Sequence, residues 1–316
     1  MKKRIVFMGT PEFAVKSLDA IVSAGYDVVA VVTVPDKPSG RGLKVNISPV
    51  KEYALQHNLP VLQPEKLRDP EFQESLKSYN ADLFVVVAFR MLPQSVWSMP
   101  PLGTFNLHAS LLPHYRGAAP INWAIINGET ETGVTTFLLN EKIDEGKILL
   151  QKKTPITEND NAESLHDRLA EMGSHLVVET LDKLFAGTIT PTIQDSDSNI
   201  KPAPKIFKQD CAINWNRPGK EIHNFIRGLS PYPAATATMT NEKGETISMK
   251  IFDTEFEKNT EKIAIGTIFS DQKKELKIAV SDGFIKILSL QMSGKRKIST
   301  DEFLRGYNVK YWKLTV

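Results

Sequence analysis

Two polar side chains, Asn106 and His108, are spaced for joint chemistry. In the segment Thr104–His108 they alternate with the apolar residues Phe105 and Leu107, which is the period of a β-strand. Successive side chains of a strand leave opposite faces, so Asn106 and His108 share one face. An amide beside an imidazole can stabilise a developing oxyanion and transfer a proton. The spacing therefore indicates a catalytic pair, although a single histidine is more often a hydrogen-bonded core residue.

An acidic stretch, residues 141–146, offers a carboxylate that could orient an imidazole. It contains Glu141, Asp144 and Glu145. The residues alone do not distinguish among the three, and a solvated acidic loop would have the same composition. A metal site is not indicated, because Cys211 is the only cysteine and the six histidines show no ligand spacing.

Strands and helices are predicted to alternate through the first 189 residues. Apolar runs predict four buried strands, at residues 4–8, 28–32, 82–87 and 104–108. After the first strand, Thr10 is typical of a helix N-cap and Pro11 of the first helical position. Strands separated by helices predict an α/β fold with a Rossmann-like, mostly parallel sheet. The first strand is not followed by Gly-x-Gly-x-x-Gly, so a dinucleotide site is not indicated.

The character of the chain changes near Thr188. Residues 190–207 are rich in Pro, Asp and Ser, which is typical of a linker. Beyond it we predict a short helix and several short strands, at residues 218–229, 247–252, 266–269, 276–280 and 284–288. Short strands separated by turn signals predict a small β-barrel. We therefore expect a catalytic domain over 1–189, a linker over 190–207 and a barrel domain over 208–316.

Composition and charge restrict the possible functions. With 41% hydrophobic and 24% charged residues the chain has the composition of a folded domain. Its apolar runs are too short to span a bilayer, and no signal peptide follows the basic start, so we expect a cytoplasmic protein. Residues 1–200 carry a net charge of −5 and residues 201–316 of +7. A basic C-terminal part is typical of a polyanion-binding protein, although a solvated lysine-rich surface has the same charge.

Several motifs, in this order along the chain, resemble the folate-dependent formyltransferases. The matching segments are Gly9–Ala14, Pro35–Gly42, Asn106-x-His108, Ser110-Leu111-Leu112-Pro113, Arg116–Pro120 and Asp144-x-Gly146. The C-terminal half also resembles this family, most of all its members that act on aminoacylated tRNA. An isolated Asn-x-His would be a weak signal, whereas this ordered set spans essentially the whole chain.

The resemblance implies a reaction and roles for three residues. The reaction would be formyl transfer from 10-formyltetrahydrofolate to the α-amino group of methionine carried by the initiator tRNA. Asn106 and His108 would stabilise the tetrahedral oxyanion, and Asp144, among the acidic candidates, would orient and electrostatically tune His108. The folate would be the formyl donor, and no metal would be required. The family also implies a monomer with an OB-like C-terminal barrel.

The resemblance places the folate on the segment Ser110–Pro113. Backbone groups and leucine side chains there would hold the pterin or the aminobenzoate. The sequence departs from the family nearby, because Phe89-Arg90 follows Ala88 where many relatives have Tyr-Gly. If this backbone contacts the pterin, Arg90 changes its charge and conformational freedom.

The resemblance also implies tRNA contacts. Five basic residues are candidates: Lys37, Arg41, Lys44, Lys205 and Lys208. In the family, the loop that matches residues 36–44 enters the acceptor stem, and an arginine between two glycines can insert into a nucleic-acid groove. The two linker lysines fall where the family contacts RNA. A mobile surface loop would have the same composition.

Three other functions remain open at this point. The protein could formylate a small amine, such as glycinamide ribonucleotide or an aminosugar nucleotide. It could also hydrolyse 10-formyltetrahydrofolate, with water in place of the amine, or bind RNA on an inactive enzyme scaffold. The combination of the loop Gly40-Arg41-Gly42 with a basic barrel disfavours the first, and the intact set Asn106, His108 and Asp144 disfavours the last.

Overall fold

The computed structural model describes residues 3–39, 44–195 and 199–315. The chain divides into two compact units. The N-terminal unit comprises residues 1–117, 131–154 and 166–203, and the C-terminal unit comprises 118–130, 155–165 and 204–316. The boundaries expected at 189 and 208 stay a prediction. Within the described ranges, no helix has both the length and the apolar character needed to cross a membrane.

Strands and helices alternate through much of the first two thirds of the chain. The strands are β1 (Arg4–Gly9), β2 (Asp27–Val32), β3 (Lys37–Ser39), β4 (Lys44–Asn46), β5 (Val61–Leu62), β6 (Leu83–Val87), β7 (Thr104–His108), β8 (Arg116–Gly117), β9 (Glu131–Leu138), β10 (Ile148–Pro155) and β11 (Pro202–Ala203). The helices are α1 (Glu12–Ser23), α2 (Pro49–Gln56), α3 (Pro70–Ser78), α4 (Gln94–Trp97), α5 (Pro120–Ile126) and α6 (Ala162–Phe185).

Seven strands form the main sheet of the N-terminal unit, in the order β10-β9-β7-β6-β1-β2-β5. The strands from β7 to β5 pair in parallel, and β9 is antiparallel to β7. This arrangement confirms the predicted Rossmann-like, mostly parallel sheet. The predicted cap of the first helix was wrong: α1 has Pro11 at its N-cap, so Thr10 lies outside the helix and makes no side-chain cap.

Strand β7 is positioned by its buried apolar face. Phe105 and Leu107 are almost completely buried, and α6 covers Leu107 closely. A Cβ atom on Gly173 of α6 would lie 2.7 Å from Leu107 Cδ2, so any larger residue there would force the Leu107 side chain to move. Because side chains alternate along a strand, the opposite face of β7 presents Asn106 and His108.

The C-terminal unit is built on antiparallel strands. Besides α5 it contains α7 (Gly219–Leu229), α8 (Thr300–Gly306), β12 (Ala235–Asn241), β13 (Thr246–Lys258), β14 (Ile268–Ser270), β15 (Leu276–Val280), β16 (Gly283–Met292), β17 (Ile298–Ser299) and β18 (Trp312–Leu314). The strand order is β14-β15-β16-β13-β12-β18, with β17 on β16. Trp215 and Phe303 are buried in its core. The nearly closed antiparallel barrel confirms the OB-like prediction.

Candidate active site

His108 lies at the carboxyl end of β7, and only 7% of it is exposed. Its Nε2 atom lies 2.8 Å from the carbonyl oxygen of Tyr115. A carbonyl oxygen only accepts hydrogen bonds, so Nε2 carries the proton of this contact. Nδ1 is therefore the ring nitrogen that can gain or lose a proton during chemistry.

Asp144 faces this second nitrogen. Its Oδ2 atom lies 4.0 Å from His108 Nδ1, which is longer than a hydrogen bond. At this distance the two groups are placed for a charge interaction, and the orienting role expected of Asp144 stays a prediction. The same Oδ2 accepts a hydrogen bond of 2.9 Å from the Gly117 amide, which fixes the carboxylate.

Asn106 is the third predicted catalytic residue. It is half-buried on the same face of β7 as His108. Within the described part of the chain, neither its carboxamide nor Asp144 Oδ1 has a hydrogen-bond partner. An amide and an imidazolium can stabilise an oxyanion while a carboxylate accepts a proton. Among the described residues, no cluster of three or more His, Cys, Asp or Glu side chains could hold a metal ion.

The turn that carries Asp144 has an unusual backbone. Asp144 has a φ of +55°, a left-handed conformation that Asp and Asn adopt more readily than other side chains. Two residues later, a Cβ atom on Gly146 would overlap the carbonyl oxygen of Leu138. The Asp-x-Gly spacing of the sequence therefore has a steric basis, because only glycine fits the second position.

Two residues of the predicted folate-binding segment are buried and make hydrogen bonds within the protein. Ser110 is completely buried, and its hydroxyl donates to the carbonyl of His114 at 2.7 Å. Leu112 is also buried, and its carbonyl accepts a hydrogen bond of 2.8 Å from Gln151. The segment members with partly exposed side chains are Leu111 and Pro113. The folate contact itself stays a prediction.

Arg90, which departs from the family pattern, is hydrogen-bonded to a neighbouring loop. Its guanidinium donates to the carbonyls of Pro64 and Glu65, and burial lowers the pKa of Arg90. Its φ is outside the left-handed region, whereas Ala88 has a φ of +47°. Arg90 therefore adds a charge to this loop without straining the backbone.

Two of the predicted tRNA-binding residues lie on a hairpin of the N-terminal unit. Strands β3 and β4 pair in antiparallel register, with Lys37 opposite Asn46 and Ser39 opposite Lys44. Lys37 is exposed, and Arg41 lies outside the described residues. At the base of the hairpin, Asp36 accepts hydrogen bonds from Lys51 and Gln63.

The other two candidates, Lys205 and Lys208, belong to the C-terminal unit, and both are exposed. The Nζ atom of Lys205 lies 5.4 Å from the ring centroid of Phe207. Half of the Phe207 surface is exposed. A cation beside an exposed aromatic ring is a suitable combination for RNA, because phosphates bind the charge and bases stack on the ring.

The sequence did not predict two contacts of the site, that of the Tyr115 carbonyl with His108 and that of Gln194 with the turn at Asp144. The Tyr115 carbonyl cannot be read from a side-chain pattern, because every residue carries one. Gln194 lies in a stretch whose composition indicates a linker, yet it is buried and donates hydrogen bonds to the backbone of Asp144 and Gly146. A glutamine among Pro, Asp and Ser gives no periodic signal.

Sequence comparisons identify relatives over nearly the whole chain. Residues 2–181 match the family model described as formyl transferase, and residues 205–308 match the formyl transferase C-terminal domain. The methionyl-tRNA formyltransferase of Bacteroides thetaiotaomicron is 55% identical over 315 residues, covering 98% of each protein. That of Flavobacterium johnsoniae is 53% identical over 305 residues, covering 96% of each.

Solved structures with a similar fold are more distant in sequence. WlaRD, a sugar 3N-formyl transferase solved with dTDP and 5-N-formyl-THF, has a TM-score of 0.66 and 22% identity, covering 94% of this chain and 100% of its own. HypX from Aquifex aeolicus, solved with tetrahydrofolic acid, has a TM-score of 0.64 and 18% identity, covering 100% of this chain and 51% of its own. At these identities the likeness establishes the fold alone.

Proposed function

This chain belongs to the formyl transferase family, and we propose that it transfers a formyl group from 10-formyltetrahydrofolate to the α-amino group of methionine carried by the initiator tRNA. The observation that carries the proposal is the arrangement of fixed and unengaged atoms around His108. Nε2 of His108 and Oδ2 of Asp144 are held by hydrogen bonds to the backbone. Nδ1, Oδ1 and the Asn106 carboxamide make no hydrogen bond to any residue that the structure describes. The methionyl-tRNA formyltransferases at 53–55% identity support the choice of acceptor.

In the proposed mechanism, the neutral α-amine of methionine attacks the formyl carbon, and the carbonyl electrons move to the formyl oxygen. The Asn106 amide and protonated His108 Nδ1 donate hydrogen bonds to that oxyanion. Asp144 stabilises the imidazolium by its charge, and its Oδ1 accepts the amine proton directly or through water. Collapse of the adduct breaks the carbon bond to the folate nitrogen, which takes up the proton that Asp144 accepted, so Asp144 returns to its charged form. No covalent enzyme intermediate is needed.

The formyl donor is proposed to lie along the segment Ser110–Pro113. This segment follows β7 directly, so a folate bound there has its formyl group near His108. Leu111 and Pro113 supply apolar surface for the flat ring system, and a ligand pocket of this kind is apolar with few polar contacts. Ser110 is better suited to holding the segment than to binding the ligand, because its hydroxyl is already bonded to His114.

The acceptor is proposed to bind through five basic residues. Lys37, Arg41 and Lys44 would contact the acceptor stem, and Lys205 and Lys208 would contact phosphates. The support is the net charge of +7 on residues 201–316 and the exposure of Lys37, Lys205 and Lys208. By analogy with the family, we expect a cytoplasmic monomer.

The proposal is tested by following the formyl group. The protein is incubated with 10-formyltetrahydrofolate labelled in the formyl carbon, together with methionyl initiator tRNA, glycinamide ribonucleotide and an aminosugar nucleotide in equal amounts. We expect the label on the tRNA. Label on a small amine would favour a small-amine formyltransferase, and labelled formate without any acceptor product would favour a hydrolase.

A further inference from the structure

Gln194 contacts both ends of the turn that carries Asp144. Only 8% of Gln194 is exposed. Its Nε2 donates one hydrogen bond of 2.8 Å to the carbonyl of Asp144 and another of 2.8 Å to the carbonyl of Gly146. Both amide protons are therefore used on the backbone of the three-residue turn 144–146.

Arg116 fixes the orientation of this amide. Its Nε and Nη2 atoms donate to Gln194 Oε1 at 3.2 and 2.8 Å. A guanidinium has no acceptor, so the amide oxygen must face Arg116 and the amide nitrogen must face the turn. Nη1 of Arg116 lies 3.3 Å from Glu145 in the middle of the turn. We call Gln194, Arg116 and residues 144–146 together the Gln194 clamp.

The chain around Gln194 is itself tied to the site. Thr192 exchanges two backbone hydrogen bonds of 2.8 Å with Ile148, shortly after the turn. On the other side, strand β11 pairs with β8, and the Tyr115 amide donates to the carbonyl of Lys201 at 2.6 Å. Gln194 is thus held between the segment that orients His108 and the segment that follows Asp144.

We propose that Gln194 is a positioning residue for the reaction, and that it acts by holding the Asp144 carboxylate opposite His108 Nδ1. The left-handed backbone of Asp144 is an uncommon conformation that persists only when surrounding contacts impose it, and Gln194 supplies two of them. This inference rests on the proposed function, because it assigns Gln194 a role in that reaction.

The first test compares Gln194→Met with wild type. Methionine is similar in length and can remain buried, but it cannot donate to the two carbonyls. We expect kcat with methionyl-tRNA to fall about 10–100-fold, the range found when groups that orient metal-ligating side chains are lost, with little change in KM for either substrate. Gln194→Glu, which keeps the acceptor for Arg116 and loses the donors, should behave in the same way.

A matched control separates positioning from general destabilisation. Gln73, also in the N-terminal unit, is half-buried and donates to the Leu67 carbonyl and the Ser95 hydroxyl. Gln73→Met removes equivalent hydrogen bonds away from the site, and we expect wild-type kcat. If Gln194→Met fails to fold, Gln194→Glu and the exchange measurement below carry the test.

A double-mutant cycle tests whether Gln194 acts through Asp144. In an Asp144→Ala background there is no carboxylate to position, so adding Gln194→Met should change single-turnover rates less than twofold. A further loss equal to that of the single variant would overturn the proposal, because Gln194 would then act independently of Asp144.

Hydrogen exchange provides a readout that needs no turnover. The Gly117 amide donates to Asp144 Oδ2, so Gln194→Met and Gln194→Glu should speed its exchange at least tenfold, while Gln73→Met leaves it unchanged. Unchanged exchange together with wild-type kcat would overturn the inference while leaving the proposed function intact. If the wild-type protein does not formylate methionyl-tRNA, the proposed function fails, whatever the exchange rates show.

Discussion

The imidazole of His108 is held at one nitrogen and open at the other. The Tyr115 carbonyl fixes the ring at 2.8 Å through Nε2, and Asp144 acts on Nδ1 from 4.0 Å. In the proposed mechanism Nδ1 donates to the oxyanion, and the carboxylate stabilises the charged ring.

We predict that His108→Ala and Asn106→Ala each lower kcat on the order of 10²–10³-fold, the usual loss for one oxyanion donor. Folate and tRNA affinities should change little, since the proposed contacts of both lie elsewhere. The double variant should lose much less than the product of the two single losses, because both groups act on one oxygen. Single-turnover kinetics of the three variants would measure this, and near wild-type kcat in either single variant would refute the assignment.

We predict that Asp144→Asn lowers kcat by about 10²-fold or more, in the range of general acid–base effects, with little change in thermal stability. Asparagine tolerates the φ of +55°, and its amide oxygen can still accept the Gly117 amide, so the change isolates the charge. Rates and melting temperatures of the variant would be compared with wild type. An active Asp144→Asn enzyme would show that the negative charge is not needed.

The strands of the main sheet could be predicted from the sequence, whereas contacts between distant segments could not. The alternation of Phe105 and Leu107 with polar residues predicted β7 with its observed bounds. The hairpin of β3 and β4 was expected only as a loop, because its three-residue strands are too short to show a period. The Gln194 clamp depends on contacts between residues about 50 and 78 positions apart, which local patterns cannot reveal.

Helix α7 contains a histidine, His223, whose pKa is lowered by its surroundings. His223 is half-buried, and its Nδ1 lies 3.0 Å from the Thr254 hydroxyl. Burial, together with the charges of Arg227 and Lys220, lowers the pKa of His223 from 6.5 to about 4, although Glu158 and Glu255 oppose the shift. His223 is therefore neutral in the folded protein at neutral pH.

We predict that His223 makes the folded protein less stable as pH falls from 6.5 to 4. Over this range the unfolded chain binds a proton at His223 and the folded chain does not, so stability present above pH 6.5 is lost progressively. The loss should be roughly 2 kcal/mol, since partial exposure reduces the full effect. Denaturant unfolding of wild type and His223→Gln across this pH range would measure it. Equal pH dependence in both would contradict the lowered pKa.

Charge is distributed unevenly along the chain. Residues 1–200 carry −5 and residues 201–316 carry +7. Such a basic part favours a polyanionic partner and makes binding sensitive to salt, because bound RNA releases counterions. A small amine substrate would impose no comparable dependence.

We predict that binding of methionyl-tRNA weakens steeply with salt, and that Lys205→Ala and Lys208→Ala each flatten the log–log slope by roughly 0.7–0.9. Lys77→Ala, which removes an exposed lysine of α3, is the control of equal charge and should leave the slope unchanged. The affinities would be measured over a salt series. If Lys205→Ala and Lys208→Ala keep the slope of wild type, as Lys77→Ala is expected to do, Lys205 and Lys208 are not phosphate contacts.

Formylation of methionine on the initiator tRNA is tested by identifying the amino acid on the tRNA after the reaction. Methionyl initiator tRNA is incubated with 10-formyltetrahydrofolate and either wild type or His108→Ala, and the amino acid is then released from the tRNA and identified. We expect N-formylmethionine with wild type and little or none with His108→Ala. Unmodified methionine after incubation with a folded, folate-binding wild-type protein would contradict it.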